Sequence, residues 1–135
     1  MSRAKKNYLG IDFGKSRIGL AIAPQGVLAF GLKIIKNDKD VFAVLRKIVE
    51  EQEIDFVVLG APISTQGKTT QLKKEAEKFR QELAQNFPQV ETKLVDERFT
   101  SSEAKKNLPT SKRQDAEAAR LILQSYLDAK KKKTR

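Results

Sequence analysis

Apolar and polar positions alternate along Tyr8-Leu9-Gly10-Ile11-Asp12-Phe13-Gly14. Leu9, Ile11 and Phe13 fall on one side, and Gly10, Asp12 and Gly14 on the other. A period of two predicts a strand. It returns over 16–23, where Ile18, Leu20 and Ile22 oppose Arg17, Gly19, Ala21 and Ala23. Pro24-Gln25-Gly26 reads as a turn and 27–36 as a third strand, so short connections predict an antiparallel meander. The period then lengthens. Val41, Val44, Leu45, Ile48 and Val49 lie at helical spacings, with Asp38 or Asp40 as cap and an end near Gln52. Phe56-Val57-Val58-Leu59 is a continuous apolar run of the kind buried on both faces of a sheet. A loop from Gly60 to Gly67 follows, then a helix over about 70–86 with Leu72, Ala76, Phe79 and Leu83 inward, ended by Pro88. Residues 90–95 form a fifth strand, about 101–107 a short helix, and about 112–129 the last helix, which Ser111 and Gln114 open as a capping box.

Right-handed crossovers make strands one, four and five parallel, with two and three antiparallel to one side. The expected fold is α/β: a five-stranded mixed sheet flanked by helices, in one domain over 1–135 with basic tails at 1–6 and 130–135. No apolar stretch has the roughly 18 residues of a membrane span, and no signal-peptide pattern follows the basic start. The lysine run at the end is expected to fray.

Composition narrows the chemistry. Zero cysteine removes disulfide and thiolate sites and suits a cytoplasmic protein. Zero histidine excludes the familiar Ser-His-Asp and Cys-His systems and the usual zinc sites. The net charge of +10 is unevenly spread. Eight of the 27 basic residues lie in the two ends, which leaves 19 against 17 acids between them. Such tails suit a polyanionic partner, or serve only as solvated ends.

Three carboxylates then stand out. Asp12 lies near the carboxyl end of the first strand, and Glu97 just past the fifth. Asp115 shares a helical face with Ala118, Ala119, Ile122, Leu123 and Tyr126. Sites in parallel sheets form at the carboxyl ends of strands. Gly10, Gly19 and Ala21 offer a small-residue surface against which Ala118 and Ala119 can pack, bringing Asp115 toward Asp12. Clustered carboxylates repel unless a cation joins them, and oxygen ligands without histidine or cysteine indicate Mg²⁺ or Mn²⁺. Such a site activates water and stabilises a phosphodiester under attack. Singly, each acid has a plainer role: Asp12 in a turn, Glu97 paired with Arg98 or Lys93, Asp115 at a helix N-terminus. Lys15, Arg17 and Arg98 are candidate phosphate contacts. The 60–67 loop lacks P-loop spacing.

Leu9-Gly10-Ile11-Asp12-Phe13-Gly14-Lys15-Ser16-Arg17-Ile18-Gly19-Leu20-Ala21 resembles the first motif of the YqgF-type family, bacterial pre-16S rRNA nucleases also described as Holliday junction resolvases. Val58-Leu59-Gly60-Ala61-Pro62 with Gly67 resembles the second motif, and Val95-Asp96-Glu97-Arg98-Phe99-Thr100-Ser101-Ser102-Glu103-Ala104 the third. Asp115-Ala116 and Ala118 to Leu127 resemble the fourth. The resemblance implies a ribonuclease H-like fold and metal-dependent cleavage of structured RNA or branched DNA by a monomer or homodimer. It carries Asp12, Glu97 and Asp115 over as the acidic set. Ala23-Pro24, Ala61, Ser64-Thr65-Gln66 and a short 108–115 segment depart from the family pattern, which bears on substrate grip. Two readings of other classes remain: an actin-like ATP-binding domain, which would need a second lobe, and a non-catalytic nucleic-acid-binding module.

Overall fold

A computed structural model describes residues 5–61, 71–96 and 116–133. The chain runs β1 (Tyr8–Asp12), β2 (Arg17–Ala23), a 3₁₀ turn (Pro24–Gly26), β3 (Phe30–Lys36), α1 (Val41–Glu51), β4 (Phe56–Ala61), α2 (Gln71–Asn86), β5 (Glu91–Asp96) and α3 (Glu117–Lys133). The strands form one sheet in the order β3-β2-β1-β4-β5. β1 and β2, and β2 and β3, pair antiparallel; β1 and β4, and β4 and β5, pair parallel. This is the expected α/β arrangement of a meander joined to parallel strands.

Strand alternation sorts side chains onto two faces. Leu9, Ile11, Phe13, Ile18, Leu20, Val57 and Leu59 join Leu45 and Ile48 of α1 and Phe79 and Leu83 of α2 in one core. Phe79 stacks on Phe42 at 5.0 Å and tilts against Phe13 at 5.2 Å. The other face carries Tyr8, Ala21, Phe56 and Val58 beneath Ala119, Ile122, Leu123 and Leu127 of α3. β4 is buried at every position because helices cover both its faces. Glycines let α3 come close. A Cβ on Gly10 would lie 2.8 Å from Leu123 Cβ, and one on Gly60 2.7 Å from Ile122 Cδ1.

Several boundaries differ from those predicted. β3 begins at Phe30 rather than 27. Gln25 and Gly26 both have positive φ, 59° and 69°, and Val27 and Leu28 face solvent before pairing starts. Asp40 occupies the N-cap of α1 without a capping bond from its carboxylate. Asp38 Oδ1 instead accepts the Asp40 N–H at 3.0 Å, a turn that leads into the helix. The last helix is displaced toward the C-terminus. Ala116 has φ of 63°, so helical phase does not extend back through it from Glu117. At its other end α3 continues to Lys133, and the lysine run is helical at 130–133 rather than frayed. The reason is tertiary: Lys130 Nζ donates to the Tyr8 hydroxyl at 2.8 Å and lies over the Tyr8 and Phe56 rings. The expected helix over 101–107 and the 111–114 capping box lie outside the described residues. Among the described residues no helix is long and apolar enough to cross a membrane.

Candidate active site

Asp12 is the last residue of β1, and its half-buried position follows from that place. It pairs in register with Gly19 of β2 and Gly60 of β4, and Gly60 pairs with Val95 of β5. Small residues on both neighbouring strands leave its side chain space on the face that α3 covers. The strand is held one residue further, since Phe13 N donates to Gly60 O at 3.1 Å. The turn beyond it is tied to the end of β3. Asn37 Nδ2 donates to Gly14 O at 2.8 Å, and Asn37 N to Ser16 O at 2.9 Å. Asn37 is therefore a positioning residue for the hairpin that carries Asp12. No sequence pattern marked it, because the contact joins segments far apart in the chain.

The N-terminal end of α3 reaches this spot. The point where a Gly19 Cβ would sit lies 3.6 Å from Asp12 Cβ and 4.0 Å from Ala116 Cα. A Cβ at 19 would thus touch both at ordinary van der Waals distance. Ala119 Cβ is also 3.6 Å from that point, so the expected packing of Ala119 on Gly19 is present. Ala116 is buried, and its carbonyl accepts the Arg120 N–H at 3.1 Å, the first bond of the helix. Glu117 in the first turn is a further acid that the sequence reading passed over. It accepts Arg120 Nε at 2.7 Å. That hydrogen bond to Glu117 raises the Arg120 pKa, partly opposed by burial. Glu117 thus has a basic partner and a favourable place on the helix dipole. The Glu-x-x-Arg spacing was the available signal.

The other predicted residues divide. Lys15 and Arg17 are exposed on the hairpin beside Asp12, and Arg17 pairs in register with Lys36. Arg17 and Gly19 share strand parity, which puts Arg17 on the face of Asp12. Glu97, Arg98, Asp115 and the loop over 62–67 lie outside the described residues. β5 ends at Asp96, in register with Ala61, and α3 begins just after Ala116. Ala116, with φ of 63°, is the described residue that precedes the helix.

Known proteins resemble this chain in fold and in sequence. Thermus thermophilus RuvC superposes with a TM-score of 0.59 at 14% identity, covering 91% of this chain and 96% of that one. T. thermophilus RuvC in complex with Holliday junction substrate superposes with a TM-score of 0.57 at 14% identity, covering 92% and 96%. At that identity the match speaks for the fold, which is ribonuclease H-like as expected. A protein of Sulfurihydrogenibium sp. (strain YO3AOP1) named "Putative pre-16S rRNA nuclease" is 38% identical over 128 residues, 89% of this chain and 88% of its own. One of that name from Dictyoglomus turgidum (strain DSM 6724 / Z-1310) is 38% identical over 132 residues, covering 90% and 93%. The family model described as RuvX: Holliday junction resolvase matches residues 6–129, which include the Asp12 strand, its glycine neighbours and all of α3 up to Ala129. With that match running through every element of the sheet, the chain belongs to the RuvX family.

Proposed function

We propose that this protein is a metal-dependent endonuclease that hydrolyses phosphodiester bonds in structured nucleic acid, with precursor 16S rRNA in the cytoplasm as its substrate. Membership of the RuvX family and the names of its relatives support nuclease chemistry over an actin-like ATP-binding role. The observation that carries the site assignment is the approach of Ala116 to Gly19 beside Asp12. Asp115 is the residue before Ala116, and Glu97 follows the end of β5, two strands from β1. Lys93 and Val95 of β5, whose register partners Val58 and Gly60 face α3, stand four and two residues before Glu97 in the sequence.

The residues fit a hard cation. The described carboxylate has glycines on both adjacent strands, and the chain contains no histidine or cysteine to favour a softer metal. In this reading Asp12, Glu97 and Asp115 hold Mg²⁺ or Mn²⁺. The cation supplies Lewis-acid stabilisation of the phosphate under attack. Asp12 orients the site because β1 is fixed on both sides by register and the hairpin is tied down by Asn37. Lys15, Arg17 and Arg98 attract and seat the flanking phosphates.

A second reading has support of its own. The family description names Holliday junction resolution, and the structural neighbour binds a junction. A four-way DNA junction would require two sites and hence a homodimer, whereas cleavage of one RNA strand requires a single site. The deciding experiment compares Mg²⁺-dependent cleavage of a precursor 16S rRNA fragment and a four-way DNA junction. Cleavage of the RNA, abolished in Asp12→Asn with the fold retained, is the expected outcome. Cleavage confined to the junction transfers the proposal to DNA. Undiminished cleavage by Asp12→Asn removes it.

A further inference from the structure

At the end of the sheet opposite Asp12, the two basic ends of the chain meet. Lys5 and Lys6 precede β1; Lys130 and Lys131 lie in the last turns of α3. Together with Tyr8 and Gln25 they line a cavity of about 330 Å³. That is near the lower bound of ligand pockets, roughly 300–1,000 Å³. None of the described side chains lining it is acidic. The walls are fixed from several directions. Asn7 Oδ1 accepts the Gln25 N–H at 2.8 Å, and Asn7 Nδ2 donates to Glu53 O at 3.0 Å. Lys130 reaches Tyr8, 122 residues away in sequence, and that bond raises its pKa, so it stays charged. Glu91 lies within electrostatic reach of Lys130 and offsets part of the local charge.

Four lysines from opposite chain ends, gathered on a fixed aromatic floor, place like charges together. A basic surface of that kind suits a polyanionic partner. Resting on the nuclease reading, we infer that this lysine pocket is a second phosphate-binding site that grips the nucleic-acid backbone away from the point of cleavage. β1 connects the two places. Tyr8 at its start faces α3, as does Asp12 at its end, and four strand steps span about 13 Å. A backbone engaged at both ends is held in register along α3, while only the Asp12 end carries the acids for chemistry. Lysine ammonium groups act here as point charges, so the grip is indifferent to base sequence.

The test reads lysine protection in the 135-residue chain. Lysines are acetylated with an N-hydroxysuccinimide ester in EDTA, which holds cleavage off, and quantified by mass spectrometry. The probes are a precursor 16S rRNA fragment and a four-way DNA junction, each against protein alone. Lys5, Lys6 and Lys131 should be protected several-fold, with exposed Lys47 of α1 unchanged. The probe that protects identifies RNA or DNA as the source of the phosphate. A Lys5→Ala/Lys6→Ala/Lys131→Ala variant, which keeps the Lys130–Tyr8 bond, should bind more weakly and flatten the log–log salt dependence by up to about 2–3 units for three lost contacts. Equal protection of Lys47 and the cluster, protection of neither, or an unchanged salt slope overturns the inference. Protection of the cluster by a probe the enzyme never cleaves sustains it and counts against the nuclease reading alone.

Discussion

The two faces of the sheet are built on opposite rules. Toward α1 and α2 the strands present Leu9, Ile11, Ile18, Leu20 and Leu59, large side chains that fill the space between layers. Toward α3 they present Gly10, Gly19, Ala21 and Gly60, so the helix itself comes down to the strand backbone. The first face stabilises by area removed from water, about 1.5–3 kcal/mol for each fully buried large side chain. The second gives up side-chain area and gains proximity, and through it the end of α3 arrives beside Asp12. The lesson is that a core and a close helix approach beside a strand-end carboxylate can share one sheet by taking opposite sides of the same strands.

Four substitutions break or sharpen this contrast. Leu59→Ala, on the large-residue face, should cost about 2–5 kcal/mol in denaturant unfolding and leave nucleic-acid cleavage at low temperature near that of the parent. Gly10→Ala should cost less, about 1–3 kcal/mol, because the new methyl meets Leu123 Cβ at the base of its side chain and forces α3 outward. Cleavage should nevertheless fall further than in Leu59→Ala. If the two variants lose activity in proportion to stability, the division between the faces is wrong. Asn37→Ala removes the bond to Gly14 O and should cost about 0.5–1.5 kcal/mol, read by thermal melting, with a cleavage defect larger than that loss accounts for. The smallest effect belongs to the solvent side of α2. There the hydrogen bond from Arg80 lowers the Glu77 pKa, with burial opposing and the charge of Arg80 adding to it. A lowered folded-state pKa means a contribution present above the unfolded value and lost as pH falls through the folded one. Glu77 is largely solvated, so Glu77→Gln should cost only about 0.3–0.5 kcal/mol at pH 7, vanishing in strong acid, by urea titration at several pH values.

The place of Asp12 at the end of β1 and the antiparallel meander were legible from alternation and turn residues, because each depends on neighbours close in sequence, while the parallel strands followed from the handedness of crossovers. Gly10 and Gly19 as landing points for Ala119 were legible too, since a lack of side chain is itself a pattern. Asn37 was not, because its value lies in reaching Gly14 across the hairpin. The start of α3 was misplaced for a related reason. Apolar spacing continues through Ala116, but a single left-handed residue breaks the phase that spacing assumes.

Local periodicity therefore determined which segments are strands or helices, which faces they bury and where Asp12 falls at the end of β1. It did so because side-chain direction repeats every two or 3.6 residues whatever lies beyond. Tertiary structure alone decided where α3 begins, that its lysine run stays helical, and that the two basic ends of the chain meet at Tyr8. Those outcomes depend on surfaces that exist only once the sheet is assembled: a ring for Lys130 to cover and a hydroxyl for it to bind, 122 residues away.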